Sequence, residues 1–88
     1  MPIYKKIAEP ENFVASNIKL LLYVNKLQAK ELGHYIGESS SNISSWVTQR
    51  AMPSITKIQK ICLFFNVPLD DFVTKDLQDS VNKYKIAG

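Results

Sequence analysis

Ser40, Ser41, Ser44 and Ser45 crowd the segment GESSSNISSW, residues 37–46, which ends at the only tryptophan of an 88-residue chain. A serine hydroxyl can attack a substrate, or it can donate and accept hydrogen bonds. Nucleophilic work needs a neighbouring base and an acid that orients it. The chain offers one histidine, His34, no acid with a clear place beside it, and no strand–turn–helix elbow for a nucleophile. One histidine and one cysteine, Cys62, cannot make a His/Cys metal site. Catalysis is therefore not expected, and neither is a metal or a cofactor. His34 reads as a surface imidazole, and Cys62, inside ICLFF, reads as a small buried hydrophobe. The serines are left with two readings: a polar contact surface, or a solvated face with no role.

Which reading holds depends on the element that carries them. Serine and asparagine favour caps and turns, so composition alone suggests a linker. Spacing argues otherwise. Ile43, Trp46 and Val47 lie three and four apart and share one helix face. The four serines fall on the opposite side. Gly37 stands where a preceding helix, about residues 29–36, needs a residue with left-handed backbone angles. Ser39 then suits the N-cap of the serine helix. Asn42-Ile43-Ser44 matches a glycosylation sequon, but Ile43 is expected in the core and no secretory signal is visible, so the match reads as coincidence.

The rest of the chain reads as short helices too, with no internal repeat and no strand-like alternation. A first helix is expected from about Pro10 to Asn25, with Val14, Ile18, Leu21 and Leu22 as its apolar stripe. Pro53–Ser54 opens another, with Ile55, Ile58, Ile61, Cys62 and Phe65 facing inward and Asn66 closing it. Pro68 opens LDDFV, whose Asp70 and Asp71 suit a first turn. Residues 76–88 put Leu77, Val81 and Tyr84 at helical spacing, an apolar face needing either its own domain or a second chain. The expectation is an all-α, compact bundle of five to six short helices. Residues 1–9 would form an arm, 10–73 the domain, and 74–88 a C-terminal helix or tail.

Apolar residues make up 45% and charged residues 22%, which suits a soluble globular domain. The longest apolar run near the N-terminus, LLLYV, is far too short to cross a bilayer, so no membrane association is expected and residence is read as cytoplasmic. Charge is uneven. Residues 17–60 carry six basic residues against two acidic ones, a local +4, within a chain of net charge +3. That is a weak pointer to a polyanionic partner.

The ordered string of these signals resembles the Cro and phage-repressor-like (XRE-type) DNA-binding family, over roughly residues 14–73. Leu32 and Gly33, Ile36–Gly37, then Ser39, Ile43, Ser44 and Trp46, then Pro53–Ser54 and NVPLDDF carry the likeness. The resemblance implies a lambda-repressor-like domain with a central helix-turn-helix. It implies a transcription regulator, repressor-like, that binds double-stranded DNA as a homodimer. Its second motif helix, about residues 40–48, would enter the major groove. Ser40, Ser41, Ser44 and Ser45 become the base-reading positions, and Asn42 and Thr48 lie nearer the phosphates. Arg50 follows in the loop that meets the DNA backbone or minor groove. Gln28, Ala29 and Lys30 begin the first motif helix, whose amides can hold a phosphate. Phe72, Leu77, Val81 and Tyr84 are the candidate dimer contacts. No small-molecule ligand is expected.

The departures from the family pattern are specific. Ala29 stands where glutamine is common, which removes a phosphate-bonding side chain. Glu38 stands where a hydrophobic residue is usual, which either loosens the turn or sets an acid against DNA. A common arginine–glutamate pair is replaced at both positions, by Leu22 and Val47. Joint replacement avoids an unpaired buried charge worth about 3–5 kcal/mol. The reading face lacks the long forked side chains that make bidentate base contacts. Two outcomes are open. One is a helix that sits deeper and reads by water, backbone contacts and DNA shape. The other is weak or lost DNA binding in a fold turned to a protein partner, as an antirepressor, an antitoxin-like partner or a modulator of another repressor.

Overall fold

The structure, a computed structural model, describes residues 4–8 and 11–84, apart from the side chains of residues 81 and 82. Five α-helices follow one another: α1 (Val14–Val24), α2 (Ala29–Ile36), α3 (Ser40–Val47), α4 (Ile55–Phe65) and α5 (Leu69–Thr74), then a 3-10 segment, Leu77–Tyr84. There is no strand among the described residues, and no helix is long and apolar enough to cross a membrane.

Local chemistry sets most boundaries as expected. Gly37 ends α2 at φ 71°, and Asn66 ends α4 at φ 56°, both in the left-handed region. Ser39 and Ser54 cap α3 and α4, each side chain accepting a backbone N–H three residues on. The start of α1 differs. Pro10 lies outside the described residues, Glu11–Phe13 are not helical, and the helix begins at Val14. Asn12 explains this, because its Oδ1 accepts the Val14 N–H at 3.2 Å and turns the chain just before the helix.

The core is one cluster drawn from every element. Val14, Ile18, Leu21, Leu32, Ile36, Ile43, Trp46, Ile58, Ile61, Cys62, Phe65 and Phe72 are buried in it, and Leu22 and Val47 pack at its edge. Both replacements of the family's charged pair are thus apolar at the margin of an apolar core. Burial pushes the Cys62 thiol up to about 11, so it stays protonated. Ile55 corrects the expected stripe of α4: at the first position after the Ser54 cap it lies beyond the packed face and is 59% exposed.

The last segment also differs from expectation. It is a 3-10 segment interrupted at Ser80, where φ is −118° and ψ is 20°, rather than a continuous helix. Leu77 and Tyr84 are buried, and the segment packs on α1. Phe72 has no exposure at all. The apolar face therefore finds its partner inside its own domain. As dimer contacts Phe72 and Leu77 are corrected, because a side chain covered by its own core is not presented to a second chain. Tyr84, though buried, borders a depression between α4 and α5. The side chain of Val81 lies outside the described residues.

Candidate nucleic-acid interface

The serine helix is held in place from its buried side. Ile43 and Trp46 sit in the core, fixing the rotation of α3 about its axis. Ser40, Ser41 and Ser44 are left exposed and Ser45 half-buried. With Thr48 and Arg50 they line one shallow depression of about 350 Å³. The structure thus brings the four proposed base-reading serines together with the arginine of the following loop. Gln28, Lys30 and Asn42 are outside its lining.

The end of α3 aims the arginine. Gln49 takes φ 62°, an uncommon left-handed conformation for a residue with a side chain. The chain doubles back there, so that the N–H of Arg50 donates to Ser45 O at 2.9 Å and that of Ala51 to the same oxygen at 3.2 Å. Arg50 also borders a second depression of about 550 Å³, shared with Glu11, Asn12, Ser16 and Gln49.

The turn between α2 and α3 is tight. Glu38 N–H donates to Gly33 O at 2.9 Å. A Cβ on Gly33 would run into the Glu38 carbonyl oxygen, so the small residue is what permits the approach. Lys57, reaching over from α4, donates through Nζ to Ile36 O at 3.2 Å and Gly37 O at 3.1 Å. A cation at these last carbonyls of α2 favours the helix end. The same Nζ lies 3.7 Å from Glu38 Oε2. Glu38 Oε1 accepts from Asn42 Nδ2 at 2.6 Å and from Ser39 N–H at 3.2 Å. The Asn42 amide, then the Ser39 N–H, then Lys57 hold the Glu38 carboxyl below the usual 4.5. The acid neither loosens the turn nor stands uncompensated; it ties the turn to the first turn of α3 and to α4.

At the start of α2, Gln28 and Lys30 are exposed. The Gln28 N–H, however, donates to Glu31 Oε1 at 3.0 Å, so the chain's own carboxylate occupies the place a phosphate would compete for. Asn42 and Thr48, expected nearer the phosphates, have polar hydrogens engaged within the chain. Asn42 donates to Glu38, and Thr48 Oγ1 donates to Ser44 O at 2.8 Å. Sequence reasoning missed Lys57 altogether. Its signal was only its position three residues after the Ser54 cap, which says nothing of contacts with residues twenty positions earlier.

An all-helical domain whose α2 and α3 meet at a tight glycine turn, with a polar face outward on the second, is a helix-turn-helix protein. The sequence matches the helix-turn-helix family over residues 25–72, more than half of the chain. The chain belongs to that family, of the Cro/C1, XRE-like type, whose members are DNA-binding transcription regulators. No curated protein and no solved structure matches it.

Proposed function

We propose that the chain is a cytoplasmic, non-enzymatic, repressor-like regulator that binds a specific DNA duplex as a homodimer, with α3 in the major groove. The observation that supports this best is the depression along α3. Its serines, Thr48 and Arg50 come together on the outward face of the helix that this family uses for reading. Hydroxyls reach base edges only at short range, so α3 has to sit close to the floor of the groove. Arg50 and the basic central region supply the phosphate attraction.

Two copies would place their reading helices about 34–36 Å apart on a palindrome-like site. With Phe72 and Leu77 taken up by the core, one apolar surface open to a second copy lies where α4 meets α5, with Tyr84 in its lining. Leu63, 81% exposed, and Leu69 flank a depression of about 800 Å³ there. Gln59, Asn66 and Lys83 also line it. Polar groups around an apolar centre are the usual anatomy of a protein interface.

Titrating variants against related duplexes tests the reading face. Ser41→Ala with Ser44→Ala should relax sequence preference, whereas Arg50→Ala should weaken every duplex alike. Identical binding by all of them would mean that α3 is not the reading element. The absence of long forked side chains on the serine face favours a second reading, a module that binds another protein instead of DNA. A stable protein complex, with no binding to any duplex, would select it.

A further inference from the structure

The hydroxyls of α3 are not equivalent. Ser45 Oγ donates to Ser41 O at 3.1 Å, and Thr48 Oγ1 donates to Ser44 O at 2.8 Å. A hydroxyl has one hydrogen, so each of these two points its proton into the helix backbone and keeps only lone pairs for an outside partner. Ser40, Ser41 and Ser44 make no such bond among the described residues. The face is therefore graded along its length. Hydroxyls free to donate stand toward the helix start, and acceptors stand at its end, beside Arg50.

Resting on the DNA-binding reading, we infer that Ser45 and Thr48, beside the donor-capable Ser41 and Ser44, select exocyclic amino groups on the bases they meet. In the major groove these are the N4 amine of cytosine and the N6 amine of adenine. An amino group donating to Thr48 Oγ1 adds a hydrogen bond to one already made. Guanine O6 and N7, adenine N7 and thymine O4 only accept. To donate to any of them, Thr48 must first release Ser44 O, so one bond is exchanged for another with little net gain. The same reasoning removes both residues from the phosphate contacts, because a phosphate diester oxygen carries no hydrogen. Arg50, at the same end of the depression, has five donors and no acceptor, so it supplies what these hydroxyls cannot.

The experiment uses the intact wild-type chain and a duplex enriched by it from a random pool. Each base of that duplex is replaced in turn by an analogue lacking the exocyclic amine (nebularine for adenine, 2-pyrimidinone for cytosine) or lacking purine N7 (7-deazapurines). Amine removal should weaken wild-type binding about fivefold at one or two bases. Those same bases should become indifferent to amine removal in Thr48→Val or Ser45→Ala, and 7-deaza substitution there should change nothing. Loss of affinity with the 7-deaza analogue at a base that depends on Thr48 or Ser45 would overturn the inference. So would an enriched duplex in which amine removal is harmless everywhere. Failure to enrich any sequence is a different result, and it would remove the DNA-binding reading itself.

Discussion

The backbone N–H of Leu77 donates to Asn17 Oδ1 at 3.0 Å, joining α1 to the 3-10 segment across sixty residues of sequence. Asn17 Nδ2 donates in turn to Phe72 O at 2.8 Å and Lys75 O at 2.7 Å. The side chain has no exposure, and its oxygen and both of its amide hydrogens are matched. Asn17→Ala should cost about 3 kcal/mol in urea unfolding, because it leaves buried backbone groups without partners. Asn17→Asp should cost at least as much, since an ionised carboxylate cannot donate to the two carbonyls. A loss under about 0.5 kcal/mol for alanine, the scale of an ordinary surface change, would contradict this role.

Glycine in a helix interior is normally about 1 kcal/mol worse than alanine. At Gly33 the sign should reverse. An added methyl group meets the carbonyl oxygen of Glu38, a backbone atom in a turn fixed by hydrogen bonds. Gly33→Ala should lower stability by about 1–3 kcal/mol through displacement of α3. A higher melting temperature would show that the turn has slack.

Glu38 ionises more readily in the fold than in the unfolded chain, because Asn42, the Ser39 N–H and Lys57 all favour its charged form. A carboxyl lowered on folding contributes stability above its unfolded value and loses it as the pH falls through the folded one. The melting-temperature difference between wild type and Glu38→Gln should therefore be steady above pH 4.5 and shrink as the pH drops below it. A difference that does not vary with pH would mean that the carboxylate charge does not hold the turn.

Leu63 has too few intramolecular contacts to matter for folding, given that it is 81% exposed. Leu63→Lys should leave the melting curve of the monomer unchanged while weakening self-association at least about tenfold in sedimentation equilibrium. Unaltered self-association would move the dimer contact to another face.

The elements were legible where a single residue decides a boundary. Gly37, Ser39, Ser54 and Asn66 act through their own backbone angles or through one bond to a near neighbour. The orientation of α3 was legible as well, since Ile43 and Trp46 are the only large apolar pair it offers for burial. What escaped was chemistry across long separations. Asn17 stands beside an apolar stripe, and nothing in that spacing points to its partners near residue 75. Lys57 reads as one more solvated lysine until α4 is laid over the α2–α3 turn. Periodicity likewise marked Leu77 and Tyr84 as needing cover, yet could not say that their segment packs on α1. The bonds of Ser45 and Thr48 back to the helix are of the same kind, because rotamer choice leaves no trace in spacing.

The central claim is that α3 and Arg50 read a DNA duplex, and affinity measured against salt tests it most directly. Wild-type chain should bind its enriched duplex with a Kd between about 10⁻⁸ and 10⁻⁶ M near physiological salt. The logarithm of affinity should fall linearly with that of salt. A scrambled duplex of equal length should bind at least about a hundredfold more weakly. Equal affinity for both duplexes, or binding indifferent to salt, would contradict the account.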